Sequence, residues 1–350
     1  MKLERGDRVL VTGAAGFIGS AITRALLGRG AQVVALVEPG VDDANLEGLE
    51  VEIFGGDIRS AREVQAAAAG ARFVIHTAAL FSFWSKDPDA FYDVNVLGTR
   101  NVLAAAAAAG CERMVYTSTV ATVGLEGTAE GRPADESVHA RLEDLHGHYK
   151  QTKYVAEHEV LRAAAQGAPV TLVHPTFPLG PRDRRPTPTG KVVLDFLNGR
   201  MPGYVDTAMN VEHVDDLANG HLLALEQGVV GRSYILGGEN VSMERLLGLL
   251  AERTGLPRAT RQFPRRLGLW AGFVSQLVEA RLLGREPHVP LEAAQMSMTK
   301  MIFDDSRART ELGYTSRPTS EAVESSARWF VENGYVRPER VAAISWPEAG

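Results

Sequence analysis

The sequence predicts an α/β protein in which helices cover both faces of a parallel sheet, with a smaller, discontinuous domain towards the C-terminus. Three observations support this prediction. Through the first half of the 350 residues, short β-branched apolar runs alternate with Ala- and Leu-rich stretches of helical length. A glycine closely follows each of the main helical stretches, where helices commonly end. After residue 175, a proline-rich segment ends the alternation.

The elements of the first half follow one another in regular order. Apolar runs predict strands at 8–12, 32–37, 51–54, 72–76, 112–117 and 169–173. The intervening stretches predict helices at 17–28, 60–69, 89–109 and 149–166, followed by Gly30, Gly70, Gly110 and Gly167. Strands that alternate with helices in this way form a parallel sheet buried on both faces.

The second half is predicted to be shared between two domains. Residues 1–175 form the first domain, and 207–237 and 301–335 rejoin it. The segment HPTFPLGPRDRRPTPTG is too rich in proline for a regular helix or a central strand. We therefore assign 176–206 and 238–300 to a smaller substrate-binding domain.

The composition favours an enzyme of the cytoplasm. The net charge is −6 and the basic residues are scattered, so the sequence predicts no basic surface patch that would bind nucleic acid. The single cysteine, Cys111, cannot form an intramolecular disulfide, and the N-terminal residues lack the apolar core of a signal peptide. The apolar segment 267–284 contains Gln276, Glu279 and Arg281, so we expect a core-facing amphipathic helix and no stable membrane insertion.

The first motif with chemical meaning is VLVTGAAGFIGS, which places Gly13, Gly16 and Gly19 between the first strand and the first helix. Glycines there permit a tight turn and let the backbone approach a pyrophosphate, which the free N–H groups of the helix N-terminus attract. A purely structural strand-to-helix turn is the alternative. The context favours dinucleotide binding, and hence a Rossmann-type, doubly wound sheet.

An acidic residue follows the second predicted strand. Glu38 lies 25 positions after Gly13, where a carboxylate accepts hydrogen bonds from the adenosine ribose and repels a 2′-phosphate. It therefore favours NAD over NADP. The alternative is a solvated turn residue before Pro39.

Two further strand ends carry candidate ligand contacts. Asp57 and Ile58 follow the third strand, where a carboxylate could meet the adenine amino group and an apolar side chain could cover its ring. The small residues Ala78 and Ala79 follow the fourth strand and would let the backbone approach a ligand. Each has an ordinary alternative as loop or packing, but open α/β sheets bind ligands at this edge.

The stretch HGHYKQTKYVAEHE contains the candidate catalytic pair. Tyr149 and Lys153 are four residues apart and thus on one face of a helix, whereas Lys150 and Tyr154 point elsewhere. An ammonium group beside a phenol lowers the pKa of that phenol, as general acid–base catalysis requires. At the end of the fifth strand, YTST offers hydroxyl groups about thirty residues earlier.

These motifs together resemble the extended short-chain dehydrogenase/reductase family of NAD-dependent epimerases and dehydratases. The resemblance covers nearly the whole chain through TGAAGFIGS, GDI, HTAA, DVNVLGTRNVL, VYTST, YKQTK and FDDSRARTELGY. HYKQTKYVAE, GPRDRRPTPTGKVV, GRMPGYVDT, HVDDLANGHLLALE and YILGGEN are most similar to the dihydroflavonol-reductase-like branch, in particular to proteins labelled hopanoid-associated sugar epimerases.

The resemblance implies a role for each matching residue. Tyr149 would exchange a proton with a carbonyl or hydroxyl group, Lys153 would hold the nicotinamide ribose and depress the tyrosine pKa, and Thr119 or its neighbour Ser118 would polarise the substrate oxygen. Asn95 would organise the strand ends. The expected cofactor-binding residues are Gly13, Ala15, Gly16, Phe17, Ile18, Glu38, Asp57, Ile58, Ala78, Ala79, Thr117, Tyr149, Lys153, Pro175 and Phe177.

Two positions depart from patterns common in the family. Many dihydroflavonol-type reductases carry Arg where Glu38 stands, so their NADP preference is not transferred to this chain. Nucleotide-sugar enzymes commonly show R-P-x-N-x-Y-G-P where this chain reads HPTFPLGP, with Phe177 in place of a polar amide. This change favours a less polar substrate.

The remaining polar candidates have structural alternatives. His146 and His148 have no third ligand at a suitable spacing, so we predict no metal site. His213, before two aspartates, is typical of a helix start. Arg182, in RDRRP, could bind an anionic group of a substrate or lie in a solvated loop.

Three functions stay open from the sequence alone. The first is a hydride transfer between NAD(H) and a secondary alcohol or ketone of a small molecule. The second is an epimerase or dehydratase that retains its NAD and acts on a sugar or nucleotide sugar. The third is a non-catalytic dinucleotide sensor, which the intact pair Tyr149 and Lys153 disfavours. The resemblance also implies a homodimer through the helices at about 89–109 and 149–166.

Overall fold

The computed structural model describes residues 1–82, 84–282, 285, 287, 291–296 and 298–346. Its strands are β1 Arg8–Thr12, β2 Gln32–Val37, β3 Glu52–Gly55, β4 Phe73–His76, β5 Arg113–Thr117, β6 Val170–Pro175, β7 Phe177–Leu179, β8 Tyr204–Val205, β9 Ala208–His213, β10 Ser233–Leu236, β11 Glu239–Ser242 and β12 Gln262–Phe263. The first six agree with the predicted strands to within two residues.

The helices in the same residues are α1 Phe17–Gly28, α2 Ala61–Ala67, α3 Asp89–Tyr92, α4 Gly98–Ala108, α5 His148–Ala165, α6 Pro188–Leu197, α7 Val214–Gln227, α8 Met243–Thr254, α9 Arg265–Ser275, α10 Leu291–Met296, α11 Ser306–Leu312, α12 Thr319–Glu332 and α13 Pro338–Val341. Two π-helical segments, Asp93–Leu97 and Gln276–Leu282, follow α3 and α9. The predicted helix 89–109 is thus α3, a π-helical segment and α4 in succession.

The main sheet has seven strands among the described residues, in the order β10-β6-β5-β4-β1-β2-β3. Every neighbouring pair in it is parallel. The order reverses between β1 and β4, which is the switch point where doubly wound sheets bind ligands beyond the carboxyl ends of their strands. The predicted doubly wound fold is therefore confirmed.

Helices cover both faces of this sheet because its strands are apolar on both sides. On one face, Ile22 of α1 and Leu217 of α7 pack with Val9 and Val33 of the strands. The other face is closed by α2, α4 and α5. Buried parallel strands show continuous apolar runs rather than alternation. β1, β2, β4, β5 and β6 are nearly fully buried in this way, whereas the edge strand β3 is largely exposed.

A second core lies in the C-terminal domain. It joins residues of α6, α8 and α12, such as Val193, Leu246 and Val323, with β7 and β9. β9 pairs with β7 and β11 in a separate three-stranded sheet. Residues 207–237 and 301–335 are thus divided between the two cores. Their β9 and α12 join the second core, whereas their α7, β10 and α11 pack on the main sheet. The predicted domain boundaries remain a prediction.

The amphipathic segment predicted at 267–284 is α9 followed by the π-helical segment, and residues 283 and 284 lie outside the described residues. The helix faces the core only in part, because Trp270 is 67% exposed and Phe273 57% exposed. Among the described residues, no helix combines the length and apolar character needed to cross a bilayer.

Candidate active site

The glycine-rich turn between β1 and α1 is closely packed against the end of β4. Gly13 has φ +69°, and a Cβ there would lie 2.8 Å from the backbone of Ala78. A Cβ on Gly19 would lie 2.1 Å from the carbonyl oxygen of Gly13. No side chain caps the first turn of α1, which begins at Phe17 after Gly16. Its N–H groups are therefore directed to a space that suits the phosphates of a dinucleotide.

The two acidic candidates for the adenosine end share a basic partner. Arg59 lies 3.2 Å from Glu38 and donates a hydrogen bond of 2.8 Å from Nε to Asp57. This hydrogen bond lowers the pKa of Asp57. Glu38 is 53% exposed at the end of β2, so its carboxylate is accessible to a ligand. Arg59 was missed from the sequence although it lies two residues after Asp57.

Ile58 is more buried than expected for a side chain that only covers the adenine ring. It is 7% exposed, and its Cδ1 would lie 2.6 Å from a Cβ on Gly98, the first residue of α4. Asn101 of α4 donates 2.9 Å to the carbonyl of Ile58. Ile58 therefore packs the loop after β3 against α4, beside the position expected for the adenine ring.

Asn95 connects the loop after β4 to the helix that carries Tyr149. Its Oδ1 accepts a hydrogen bond of 2.8 Å from the amide of Leu80, and its Nδ2 donates one of 3.0 Å to the hydroxyl of Thr152. Thr152 in turn donates 2.7 Å to the carbonyl of His148. Ala78 and Ala79, which precede Leu80, are partly exposed at this edge of the sheet. The contacts of Asn95 match its expected organising role.

Tyr149 lies in the first turn of α5, with its ring 4.8 Å from that of Phe81. Burial raises the pKa of its phenol to about 12. The hydroxyl of Thr119 lowers this pKa, and the charge of Glu292 raises it. Without a cofactor the phenol is therefore neutral at physiological pH. The predicted depression of its pKa by Lys153 does not occur in this arrangement, because the lysine side chain bonds elsewhere.

The structure separates the two candidate hydroxyl groups after β5. Thr119 lies close enough to Tyr149 for its hydroxyl to lower the pKa of the phenol, whereas Ser118 donates its hydroxyl proton to Glu157. Thr122 donates 2.7 Å to the same carboxylate. Ser118 is therefore turned away from Tyr149, because adjacent residues of an extended chain point to opposite sides.

Lys153 reaches down to the end of β5. Its Nζ donates 2.9 Å to the hydroxyl of Tyr116 and 2.7 Å to the carbonyl of Thr117. Burial lowers the pKa of Lys153 to about 7, and the nearby charge of Glu157 opposes that change. Glu157 follows Lys153 by one helical turn, so this i+4 spacing could have revealed it in the sequence.

A buried hydrogen-bond network lies beside Tyr116. Burial raises the pKa of Tyr116, and the neighbouring hydroxyl of Thr99 opposes that rise. Thr99 donates a hydrogen bond of 2.6 Å to the carbonyl of Asn95, so its oxygen accepts from Nε2 of His76, 3.0 Å away. Nδ1 of His76 then accepts 2.7 Å from Thr12. This assigns the neutral Nε2–H tautomer to His76, and burial accordingly lowers its pKa to about 3.

The far end of the network reaches the glycine-rich turn. Thr12, the residue before Gly13, accepts 3.2 Å from the amide of Ala78. Each donor and acceptor from Asn95 to Thr12 thus has one direction, and the network holds Thr99 beside Tyr116, the hydrogen-bond partner of Lys153. No local sequence pattern indicates Thr12, His76 or Thr99, because they come together only where β1, β4 and α4 are neighbours in the fold.

The segment after β6 has its amide groups already engaged. The N–H groups of Thr176 and Phe177 donate 3.0 Å and 2.7 Å to Glu212. Burial raises the pKa of Glu212 to about 8, which those hydrogen bonds oppose. The expected contact of Pro175 and Phe177 with the cofactor therefore cannot use the amides of Thr176 and Phe177 and is left to carbonyl groups and side chains.

The other polar candidates have structural partners. His213 caps α7 by accepting 3.0 Å from the amide of Asp215. Arg182, with φ +75°, forms an ion pair with Asp215. The carbonyl of Arg182 accepts 3.0 Å from Asn45, which also donates 3.1 Å to the carbonyl of Ala15. Arg182 thus borders the glycine-rich turn.

The ring of His148 stacks on Phe91 at 5.8 Å, while His146 is exposed. In the part of the chain that the structure describes, no three His, Cys, Asp or Glu side chains are grouped so as to hold a metal ion.

Comparison with known proteins adds the family context. The model of the NAD dependent epimerase/dehydratase family matches residues 9–237. A putative dihydroflavonol 4-reductase of Synechocystis is 43% identical and covers 96% of this chain and 98% of its own. Sterol demethylase protein B of Methylococcus capsulatus is 35% identical, with 93% and 99% covered. The crystal structure of gox2253 is 40% identical, with a TM-score of 0.84 and with 95% and 100% covered.

Proposed function

The chain belongs to the NAD-dependent epimerase/dehydratase family, and we propose that it moves a hydride between nicotinamide and a secondary alcohol or ketone. The family makes it an NAD-dependent enzyme of the short-chain dehydrogenase/reductase type. The observation that carries the proposal is the buried phenol of Tyr149 in the first turn of α5, beside the hydroxyl of Thr119 that follows β5.

The residues divide the chemistry between them. NAD, when bound, supplies the carbon that gives or accepts the hydride. Tyr149 is neutral at physiological pH, so in the reductive direction it donates its proton to the substrate oxygen. Thr119 is the hydroxyl that donates a second hydrogen bond to the same oxygen. Lys153 uses two of its three donors on Tyr116 and Thr117, which leaves the third for a ribose hydroxyl.

The proposed cofactor is NAD rather than NADP. The support is the exposed carboxylate of Glu38, which accepts from a ribose hydroxyl and repels a 2′-phosphate. Arg59 lies beside that carboxylate and neutralises part of its charge. The preference is therefore expected to depend on this ion pair.

The proposed substrate is less polar than a nucleotide sugar. Phe177 stands where nucleotide-sugar enzymes of the family commonly carry a polar amide. Trp84, Phe91, Phe273 and Leu277 line a cleft beside the start of α5. Aromatic and aliphatic side chains around a few polar groups are typical of sites for apolar ligands.

The second candidate is an epimerase or dehydratase that retains its NAD, which the description of the matched family supports. Both functions use Tyr149 and Lys153, and they differ in whether the cofactor is consumed. The test follows NADH absorbance with panels of ketones, alcohols and nucleotide sugars, after analysis of any NAD(H) that co-purifies. Net NADH oxidation with a ketone supports the reductase, whereas tightly held NAD with sugar isomerisation supports the alternative.

Tyr149→Phe should abolish turnover and leave NAD binding nearly unchanged. The matched control is Tyr154→Phe, because Tyr154 lies on the same helix with its ring against His158 and away from the site. Full activity in Tyr149→Phe would refute the role of the phenol.

We further propose a cytoplasmic homodimer, in which α4 and α5 form the interface. The support is the family resemblance of the sequence. Light scattering on the eluting protein would measure the mass of the assembly, and a monomeric mass would refute the dimer.

A further inference from the structure

The cleft beside the start of α5 has a volume of about 590 Å³. Trp84 follows β4, Phe91 belongs to α3, and Phe273 and Leu277 come from α9 and the π-helical segment after it. His148, the residue before Tyr149, also lines it. The cleft therefore lies beside the first turn of α5, which carries Tyr149, and extends into the second domain between largely apolar walls.

One ionisable group is buried in these walls. Glu292 of α10 is 8% exposed, and its carboxylate lies against Gly147, where a Cβ would be 1.9 Å from Oε2. Its Oε1 has no hydrogen-bond partner among the described residues. The closest cation, Lys150, places its Nζ 4.0 Å from Oε1, beyond hydrogen-bonding distance.

This carboxylate is close enough to the catalytic tyrosine to influence it. Glu292 raises the pKa of Tyr149 through its charge. Burial raises the pKa of Glu292 itself to about 7, which the charge of Lys150 opposes. A buried acceptor without a donor is costly, so a ligand that brings a donor to Oε1 is favoured. A ligand that brings a second negative charge is disfavoured.

We propose that Glu292 is the polar anchor of the cleft and accepts a hydrogen bond from a non-reacting hydroxyl group of a neutral, otherwise apolar substrate. This inference rests on the proposed function, since it names the class of molecule on which Tyr149 acts. Above the pKa of Glu292, its negative charge disfavours ligands with a carboxylate or phosphate at that position.

The test uses three straight-chain methyl ketones of matched length, which end in a methyl group, a hydroxyl group or a carboxylate. At a pH above the pKa of Glu292, the wild-type enzyme with NADH should show a kcat/KM about 100-fold higher for the hydroxyl-terminated ketone than for the carboxylate-terminated one. Glu292→Gln removes the charge without changing the shape of the side chain. It should reduce this ratio at least about tenfold.

The matched control is Glu244→Gln. Glu244 is a carboxylate of the same domain, 58% exposed and paired with Arg258 at 2.9 Å on the surface. The variant should keep the wild-type ratio. If Glu292→Gln also keeps it, or if the wild type uses the carboxylate-terminated ketone as well as the hydroxyl-terminated one, the anchor is refuted.

Failure of the anchor and failure of the proposed function are distinguishable. Calorimetry with the NADH-loaded Tyr149→Phe enzyme measures binding of the same three compounds without turnover. If the wild-type enzyme reduces none of them but the hydroxyl-terminated compound binds most tightly, the anchor stands and the ketone reductase proposal fails. If all three are reduced equally, the reductase stands and the anchor fails.

Discussion

Tyr116→Phe tests whether the buried network controls the charge of Lys153. The substitution removes one hydroxyl group and keeps the ring that packs in the sheet core. Lys153 then loses the partner that accepts its hydrogen bond at 2.9 Å and keeps the carbonyl of Thr117 at 2.7 Å. Because the lost bond stabilised the ammonium form, the pKa of Lys153 should fall.

The size of the change follows from the strength of that bond. A hydrogen bond to a charged group contributes about 1.5–3 kcal/mol, and about 1.4 kcal/mol corresponds to one pKa unit. The pKa of Lys153 should therefore fall by about one to two units from its wild-type value of about 7. At pH 7 the ammonium fraction then falls from about half to between roughly a tenth and a hundredth.

The assay is the pH dependence of kcat/KM for NADH, which reports the ionisations of the cofactor-free enzyme. If the ammonium binds the ribose, kcat/KM is high below the pKa of Lys153 and falls as the pH rises through it. In Tyr116→Phe this fall should move to lower pH by about one to two units, with about 5- to 50-fold less activity at pH 7.

Tyr234→Phe is the matched control. Tyr234 is also buried in the main sheet, and its hydroxyl donates 2.9 Å to Glu311, away from the candidate site. Its loss should alter the free energy of unfolding and leave the pH profile unchanged. An unchanged profile in Tyr116→Phe, with wild-type activity, would refute the role of the network.

Three further predictions concern the cofactor site and stability. Glu38→Ala should raise kcat/KM with NADPH about tenfold, because the carboxylate that repels a 2′-phosphate is removed and Arg59 loses one of its two acidic partners, Glu38 at 3.2 Å, while it keeps Asp57. Gly13→Ala should weaken NADH binding, measured by calorimetry, at least about tenfold, because its Cβ would lie 2.8 Å from the backbone of Ala78 at φ +69°. Burial holds the pKa of Lys153 in the folded protein at about 7, which is below its pKa in the unfolded chain. Between about pH 7 and 10 the unfolded chain therefore binds more protons than the folded protein, so the free energy of unfolding rises with pH. Lys153→Met should lack this rise in denaturant titrations.

Each of these predictions has a control or an outcome that contradicts it. Adding Arg59→Ala to Glu38→Ala should remove the gain with NADPH, and a gain that persists would refute the role of Arg59. Gly40→Ala has a similar φ of +84° but no atom within 4 Å of the new Cβ, so it should leave NADH binding unchanged. Parallel pH profiles of unfolding for Lys153→Met and the wild type would show that Lys153 is not held in its neutral form by burial.

Local pattern was sufficient for much of the fold. β-branched runs, helical spacing and glycines located the first six strands and the main helices to within about two residues, because backbone sterics and burial act over short stretches. The same reasoning placed Tyr149 and Lys153 on one helical face. It did not reveal that 89–109 contains a π-helical segment, which positions Asn95 between the loop after β4 and α5.

The sequence by itself determined the doubly wound sheet, the glycine-rich turn and the pair Tyr149 and Lys153, since each is specified by residues close together in the chain. Tertiary structure decided the rest. Which of Ser118 and Thr119 meets the phenol depends on which face of the chain α5 packs against. Tyr116 meets Thr99, and Glu292 meets Gly147, only because strands and helices distant in sequence become neighbours. Those contacts are long-range, and no local spacing encodes them.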